Sequence, residues 1–278
     1  MLGCVNGAAP VGSVEMLWRK SRGDTVDELK KRQDVPGLVK AFAGAEGEAA
    51  GDVLAELADT ACVPLLLEAL KQGGESDLRN RTAVLLRRMG PPAVHAAARW
   101  VADHDDESES ARDVLLRIGI RAPDMVAELL RETDADTRAV SVEVLVKLGA
   151  IAEDAVVALL ADPAISTQNA AAEVIGRSDM TSVDPLIARL DKPNVRVQAV
   201  VSRELKRFGE SAIAPLLDVL QSPDEKAAAQ ASDILVELGA PVVEPVLALL
   251  NSEAGHAAHV QVAAIHILGR MGDVRATD

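Results

Sequence analysis

Apolar and polar positions return together along this chain about every thirty residues. A thirteen-residue pattern carries the period. Its copies begin at Leu78 (LRNRTAVLLRRMG), Thr137 (TRAVSVEVLVKLG), Thr167 (TQNAAAEVIGRSD), Val197 (VQAVVSRELKRFG), Ala227 (AAAQASDILVELG) and Val260 (VQVAAIHILGRMG). Two looser copies begin at Glu46 and Glu107; most spacings are 30, one is 29, and two are 32 and 33. Positions 5, 9 and 12 are usually apolar. In the copy from Thr137 this stripe is Ser141, Leu145 and Leu148, with Val144 beside it at position 8. Spacings of three and four put such residues on one face of a helix. Most copies close on Gly (Gly90, Gly119, Gly149, Gly209, Gly239, Gly272), which suits the left-handed residue just past a helix end. Ala58 and Asp179 close the other two, and Asp visits that region more readily than most residues.

A second apolar segment follows each closing residue, in versions such as VPLLLEAL, DPLIARL, APLLDVL and EPVLALL. Pro64, Pro185, Pro215 and Pro245 stand near the start of these segments, where a missing N–H costs nothing. Short polar turns come next: Asp162-Pro163, Lys192-Pro193 and Ser222-Pro223. Asp162 and Ser222 are the expected N-caps, each with Pro at the first helical position. Each unit is therefore helix, turn, helix, and turns this short make neighbours antiparallel. One pair cannot bury its apolar stripes alone, so pairs must stack. Each buried Leu, Ile or Val then contributes roughly 1.5–3 kcal/mol.

The prediction is an all-α chain, an α-solenoid of about eight helix pairs over 34–278. A flexible tail over 1–12 and an N-terminal helical cap over 13–33 precede it. Asp24 is expected to cap the run from Thr25, and the cap to cover the first repeat's apolar face. The last repeat is expected to leave an apolar face open, a possible contact for self-association. Leu145→Asp should unfold the middle of the stack, because it buries an unpaired charge. Cooperative melting unchanged from the parent would refute this register.

Three segments carry a family resemblance: the run Val260 to Asp273 with its Leu-Gly-Arg-Met-Gly-Asp end, the Ile175-Gly176-Arg177 step, and Asp-Pro-Leu-Ile from Asp184. They resemble HEAT repeats of the short, phycobilin-lyase-like type, over about Val35 to Asp278. The resemblance implies a right-handed superhelix whose second helices line the concave surface. It says little about function, since such folds host many roles. The family includes iron-dependent hydroxylases whose ligands are His-Glu pairs, and none of the five histidines here precedes Glu. It also includes lyases acting on a tetrapyrrole or a modified protein, and no catalytic residue of theirs can be placed here.

Composition narrows the partners. The only aromatics are Trp18, Phe42, Trp100 and Phe208, and the net charge is −14. Nucleic acid is disfavoured, because duplex binding needs cations over phosphates and single strands need aromatic platforms. No apolar run approaches the length of a membrane span. Cys4 and Cys62 cannot build a disulfide framework, so a cytoplasmic setting is expected, with Cys62 a buried hydrophobe. His256, His259 and His266 cluster in sequence, but the last two lie roughly 10 Å apart along a helix. No metal or cofactor is expected.

Charge gives the one candidate surface. Acids at position 7 and bases at position 11 form i, i+4 pairs: Asp113 with Arg117, Glu143 with Lys147, Glu173 with Arg177. The pattern breaks in the helix from Leu78, with Arg79, Arg81, Arg87 and Arg88 and no acid inside. It breaks again in the helix from Asn194, with Arg196, Arg203, Lys206 and Arg207 against Glu204 alone. An acidic loop, Asp103, Asp105, Asp106, Glu107 and Glu109, is a third departure. In so acidic a chain these arginines are the expected docking points for an acidic protein or peptide. Alternatively they pair with neighbouring acids such as those of the loop. The function expected is a non-catalytic interaction scaffold binding along the concave helical surface. The alternative is a phycobilin-lyase-like enzyme or enzyme subunit.

Overall fold

The structure, a computed structural model, describes residues 24–71, 76–104, 108–178, 182–191, 195–252 and 257–272. All regular structure among them is helical, and no helix there is long and apolar enough to cross a membrane. The chain falls into two compact units, Met1–Leu148 and Gly149–Asp278.

The first unit holds α1 (Val26–Arg32), α2 (Val35–Ala43), α3 (Gly47–Leu57), α4 (Cys62–Lys71), α5 (Ser76–Met89) and α6 (Pro91–Asp103). It continues with α7 (Glu109–Arg121), α8 (Pro123–Ala127, extended by a 3-10 turn to Arg131) and α9 (Ala135–Leu148). The pairing is two-layered. First helices stack as α1, α3, α5, α7, α9, and second helices as α2, α4, α6, α8. The apolar stripes meet between the layers, where Leu54, Leu66, Leu86, Leu115, Leu130 and Leu145 are fully buried. The described residues of the expected cap hold α1, which packs on α3 in the first layer, while α2, after the cap, packs on α4 in the second.

The second unit repeats the plan. First helices are α11 (Ile165–Arg177), α13 (Val195–Phe208), α15 (Glu225–Leu238) and α17 (Ala258–Met271). Second helices are α10 (Glu153–Leu159), α12 (Asp184–Ile187), α14 (Ile213–Leu220) and α16 (Val243–Leu250). Each first helix packs on the next, and so does each second helix. Leu160, Leu186, Leu205, Leu216, Leu235, Val246 and Leu268 form the core. Each unit is thus an all-helical stack of repeated helix pairs.

Several local expectations need correction. Gly90, Gly149, Gly209, Gly239 and Gly272 do take positive φ, and so does Ala58. Gly119 does not, because α7 runs on to Arg121. Its missing side chain serves packing: a Cβ there would sit 2.3 Å from Leu148 Cδ1. Thr25, not Asp24, caps α1, and its N–H donates to Glu28 Oε2 (3.1 Å) while Asp24 pairs with Arg32. Asp224 caps α15 by accepting from Lys226 and Ala227 N–H, so Ser222 and Pro223 lie before that helix. Likewise Asp162 accepts from the Ala164 N–H in the turn before α11, and Pro163 is not its first residue. The tail over 1–12, Trp18, Lys192-Pro193, Asp179, His256 and the residues after Gly272 lie outside the described residues.

Candidate interaction surface

The arginines of α5 turn out to be tied into the stack. The helix begins at Ser76, two residues earlier than the pattern implied, so Asp77 lies inside it and corrects the expectation of an acid-free helix. The Asp77 carboxylate approaches Arg81 Nε to 2.9 Å. Arg81 Nη1 donates to the Phe42 carbonyl (2.9 Å), and its guanidinium lies 5.5 Å from the centre of the Phe42 ring. Gly47 makes the space: a Cβ there would stand 1.8 Å from Arg81 Nη1. Arg79 reaches forward to Asp113 on α7 (3.4 Å), and Arg88 reaches back to Asp52 on α3 (2.7 Å). Arg87 is half-buried, and no ion pair of it appears among the described residues. Arg79 and Arg88 are thus drawn to acids on neighbouring first helices, and Arg81 to an acid of its own helix. Of the acidic loop, Asp103 ends α6, Glu109 begins α7, and 105–107 lie outside the described residues.

On α13 the arrangement is different. Glu204 is 2 % exposed, and both its oxygens are occupied from its own helix: by Arg203 Nε (2.8 Å) and Arg207 Nη1 (2.6 Å). Arg207 also donates to the Gly176 carbonyl at the end of α11 (3.1 Å), where the helix dipole favours a cation. Lys206 pairs with Glu237 of α15. Arg203 spends only Nε, and its side chain remains 58 % exposed. The Arg196 side chain lies outside the described residues.

Of the acid–base pairs expected within helices, Asp113–Arg117 (2.9 Å) and Glu173–Arg177 (2.8 Å) form. Glu143 is instead taken by Arg112 of the preceding first helix. The same back-and-forth tie joins Arg270 to Asp233.

Two grooves between successive first helices escaped the sequence reading. One, of about 190 Å³, lies between α11 and α13 and is lined by Gln168, Asn169, Ala172, Val197, Ala199 and Val200, with Leu160. Gln168 is 9 % exposed, its Nε2 donates to the Asp162 carbonyl (2.7 Å), and its Oε1 has no partner. Another, of about 710 Å³, lies between α15 and α17, with Ala229, Ser232, Val262 and Ala263 among its walls. The buried Ser232 hydroxyl there also lacks a partner. Exposed Ile165 and Val195 begin α11 and α13, and Val262 and Ile265 are exposed on α17. The signal available in sequence was small residues such as Ala172, Ala199, Ala229 and Ser232 at position 3 or 6, which cannot fill the space between helices.

Among the described residues the histidines do not gather into one cluster. His259 and His266 are exposed at the larger groove, His95 Nδ1 meets Glu132 (2.7 Å), and His104 stacks on Trp100 at 4.4 Å. Among the described residues no group of three His, Cys, Asp or Glu could hold a metal ion. Cys62 is fully buried, and burial, aided by nearby Asp59, pushes its thiol up to about 12. Asp134 caps α9, and hydrogen bonds from the Thr137 hydroxyl and N–H hold its carboxyl below the ordinary value.

No protein-family model and no curated protein matches this chain. Among solved structures, it is similar to an engineered protein at 17% identity, covering 94% of this chain and 78% of the other, with a TM-score of 0.27. A second engineered protein aligns at 17% identity over 86% and 98% of the two chains, also with a TM-score of 0.27. An archaeal HEAT-like repeats protein from Thermococcus onnurineus NA1 aligns at 15% identity over 91% and 98%, with a TM-score of 0.26.

Proposed function

We propose that the protein is a non-catalytic scaffold built from phycobilin-lyase-type HEAT-like repeats, and that α11 and α13 dock an acidic segment of a partner protein. The observation that carries this is one continuous face. Ala172 and Gly176 are i, i+4 on α11, and Ala199 and Arg203 are i, i+4 on α13, so the small apolar groove leads to an exposed guanidinium. Position 7 is acidic in five copies (Asp52, Asp113, Glu143, Glu173, Asp233) and is Arg203 only here. An apolar side chain followed by a carboxylate fits that face, with the groove taking the first and the guanidinium the second. The arginines of α5 support this role less, because Asp52, Asp77 and Asp113 occupy three of them. The docking helices are the first of their pairs, whereas the resemblance assigns the concave lining to the second. The binding face proposed is therefore the first-helix layer.

The test is fluorescence anisotropy with peptides pairing Leu or Val with Glu runs, against Lys-substituted controls. Acidic peptides should bind, more weakly as salt rises, and Arg203→Glu with Lys206→Glu should weaken them at least tenfold at unchanged helicity. Equal binding of acidic and basic peptides, or full retention by the double variant, overturns the proposal.

A further inference from the structure

A third groove, of about 660 Å³, lies between α1 and α3 and is bounded by Thr25, Val26 and Asp27 on one side and Ala45 to Val53 on the other. Ala45, Ala49, Val26 and Val53 give it apolar walls, and Asp27, Glu46, Glu48 and Asp52 ring it. Asp52 is occupied by Arg88, while Asp27, Glu46 and Glu48 are exposed and no base lines the groove. It lies in the first-helix layer of its own unit.

The residues just before Asp24 have the opposite character. Ser13 to Gly23 reads SVEMLWRKSRG, with Val14, Met16, Leu17 and Trp18 apolar, and with Arg19, Lys20 and Arg22 against the single acid Glu15. This is a net charge of +2 in a chain of −14. The segment is tethered at the groove's own edge, because Thr25 is part of the wall. Trp18 is six residues from Asp24, and six residues span at most about 20 Å, so the reach is sufficient. The tether also raises the segment's effective concentration at the groove to roughly the millimolar range, which a free competitor must exceed.

We propose that residues 13–23 of the same chain dock in the groove between α1 and α3, with Leu17 and Trp18 against the apolar walls and Arg19, Lys20 and Arg22 facing Asp27, Glu46 and Glu48. Docking covers the end of the first-helix layer and neutralises three unpaired carboxylates. It is an intramolecular occupant, independent of the partner face on α11 and α13.

Zero-length carbodiimide coupling of the full chain at high dilution tests this directly. An amide between Lys20 and Glu46, Glu48 or Asp27, located by peptide mass spectrometry, is expected. Glu46→Lys with Glu48→Lys should reduce it at least tenfold. In a Trp100→Phe background, Trp18 should be several-fold less quenched by acrylamide than in a synthetic peptide of residues 13–24, and the groove variant should erase that difference. Coupling found only between chains, in a mixture of isotope-labelled and unlabelled protein, would assign the groove to a second copy and overturn the intramolecular docking. Trp18 quenched as in the free peptide, with no Lys20 coupling to these carboxylates, would overturn it outright.

Discussion

Helices α5 and α13 each concentrate basic side chains, yet they divide them differently between their own helix and their neighbours. On α5 most contacts leave the helix: Arg79 to α7, Arg88 to α3, and Arg81, which also meets Asp77 of its own helix, across Gly47 to the Phe42 carbonyl. On α13 two guanidiniums fold onto Glu204 of the same helix, and the space toward α11 stays open as a groove. Between α3 and α5 of the first unit, the Arg81 side chain fills the space beside Gly47. Between α11 and α13 of the second unit, small residues such as Ala172 and Ala199 leave the space unfilled. Cation number alone therefore does not define a binding surface; what decides is whether a neighbouring helix supplies an acid or a carbonyl within reach.

The contrast can be broken at Gly47. Gly47→Val should destabilise the first unit by about 3 kcal/mol, because the new Cβ meets Arg81 and, at 2.9 Å, the rigid Phe42 carbonyl. Chemical denaturation monitored by circular dichroism would measure it, and a loss under about 1 kcal/mol would show that Arg81 simply swings away. A smaller loss is expected from Glu204→Ala, about 2 kcal/mol, since it removes the carboxylate between two guanidiniums. That figure is below the range for fully buried pairs because both arginines are about half exposed. The same melts check it, with an added sign: Arg207 should lose its fixed position at Gly176 and become more mobile by NMR. The smallest effect should be a gain. Gly176→Ala places its Cβ 3.8 Å from Arg203 and 4.0 Å from Glu204, ordinary contact distances, and removes a helix-interior glycine. A stabilisation of roughly 0.5–1 kcal/mol is expected, and a destabilisation would mean that α13 sits closer to α11 than described.

The fold was legible because the thirty-residue period states its own geometry. Leu145, Leu86 and Leu235 fall at matching register positions, and all are buried. Left-handed closure at Gly149 or Gly209 was also legible, being a local property of a helix end. Gly119 shows the limit. Its role depends on Leu148, 29 residues away, and no local pattern distinguishes a glycine that ends a helix from one that admits a neighbour. The basic side chains were legible in the sequence but their pairings were not. The pattern placed the start of α5 at Leu78 and so excluded Asp77, and Asp52 and Asp113 meet Arg88 and Arg79 only through stacking. Grooves were the hardest to foresee, because small residues such as Ala172, Ala199 and Ala229 read equally well as tight packing.

Cys62 gives the first unit an internal reporter. At neutral pH its thiol holds almost no thiolate, the form that reacts with oxidants and alkylating reagents. Such reagents pass it by while α4 stays docked. Its modification rate under native conditions therefore counts how often that helix lifts from its neighbours, a clock for local opening that needs no added label.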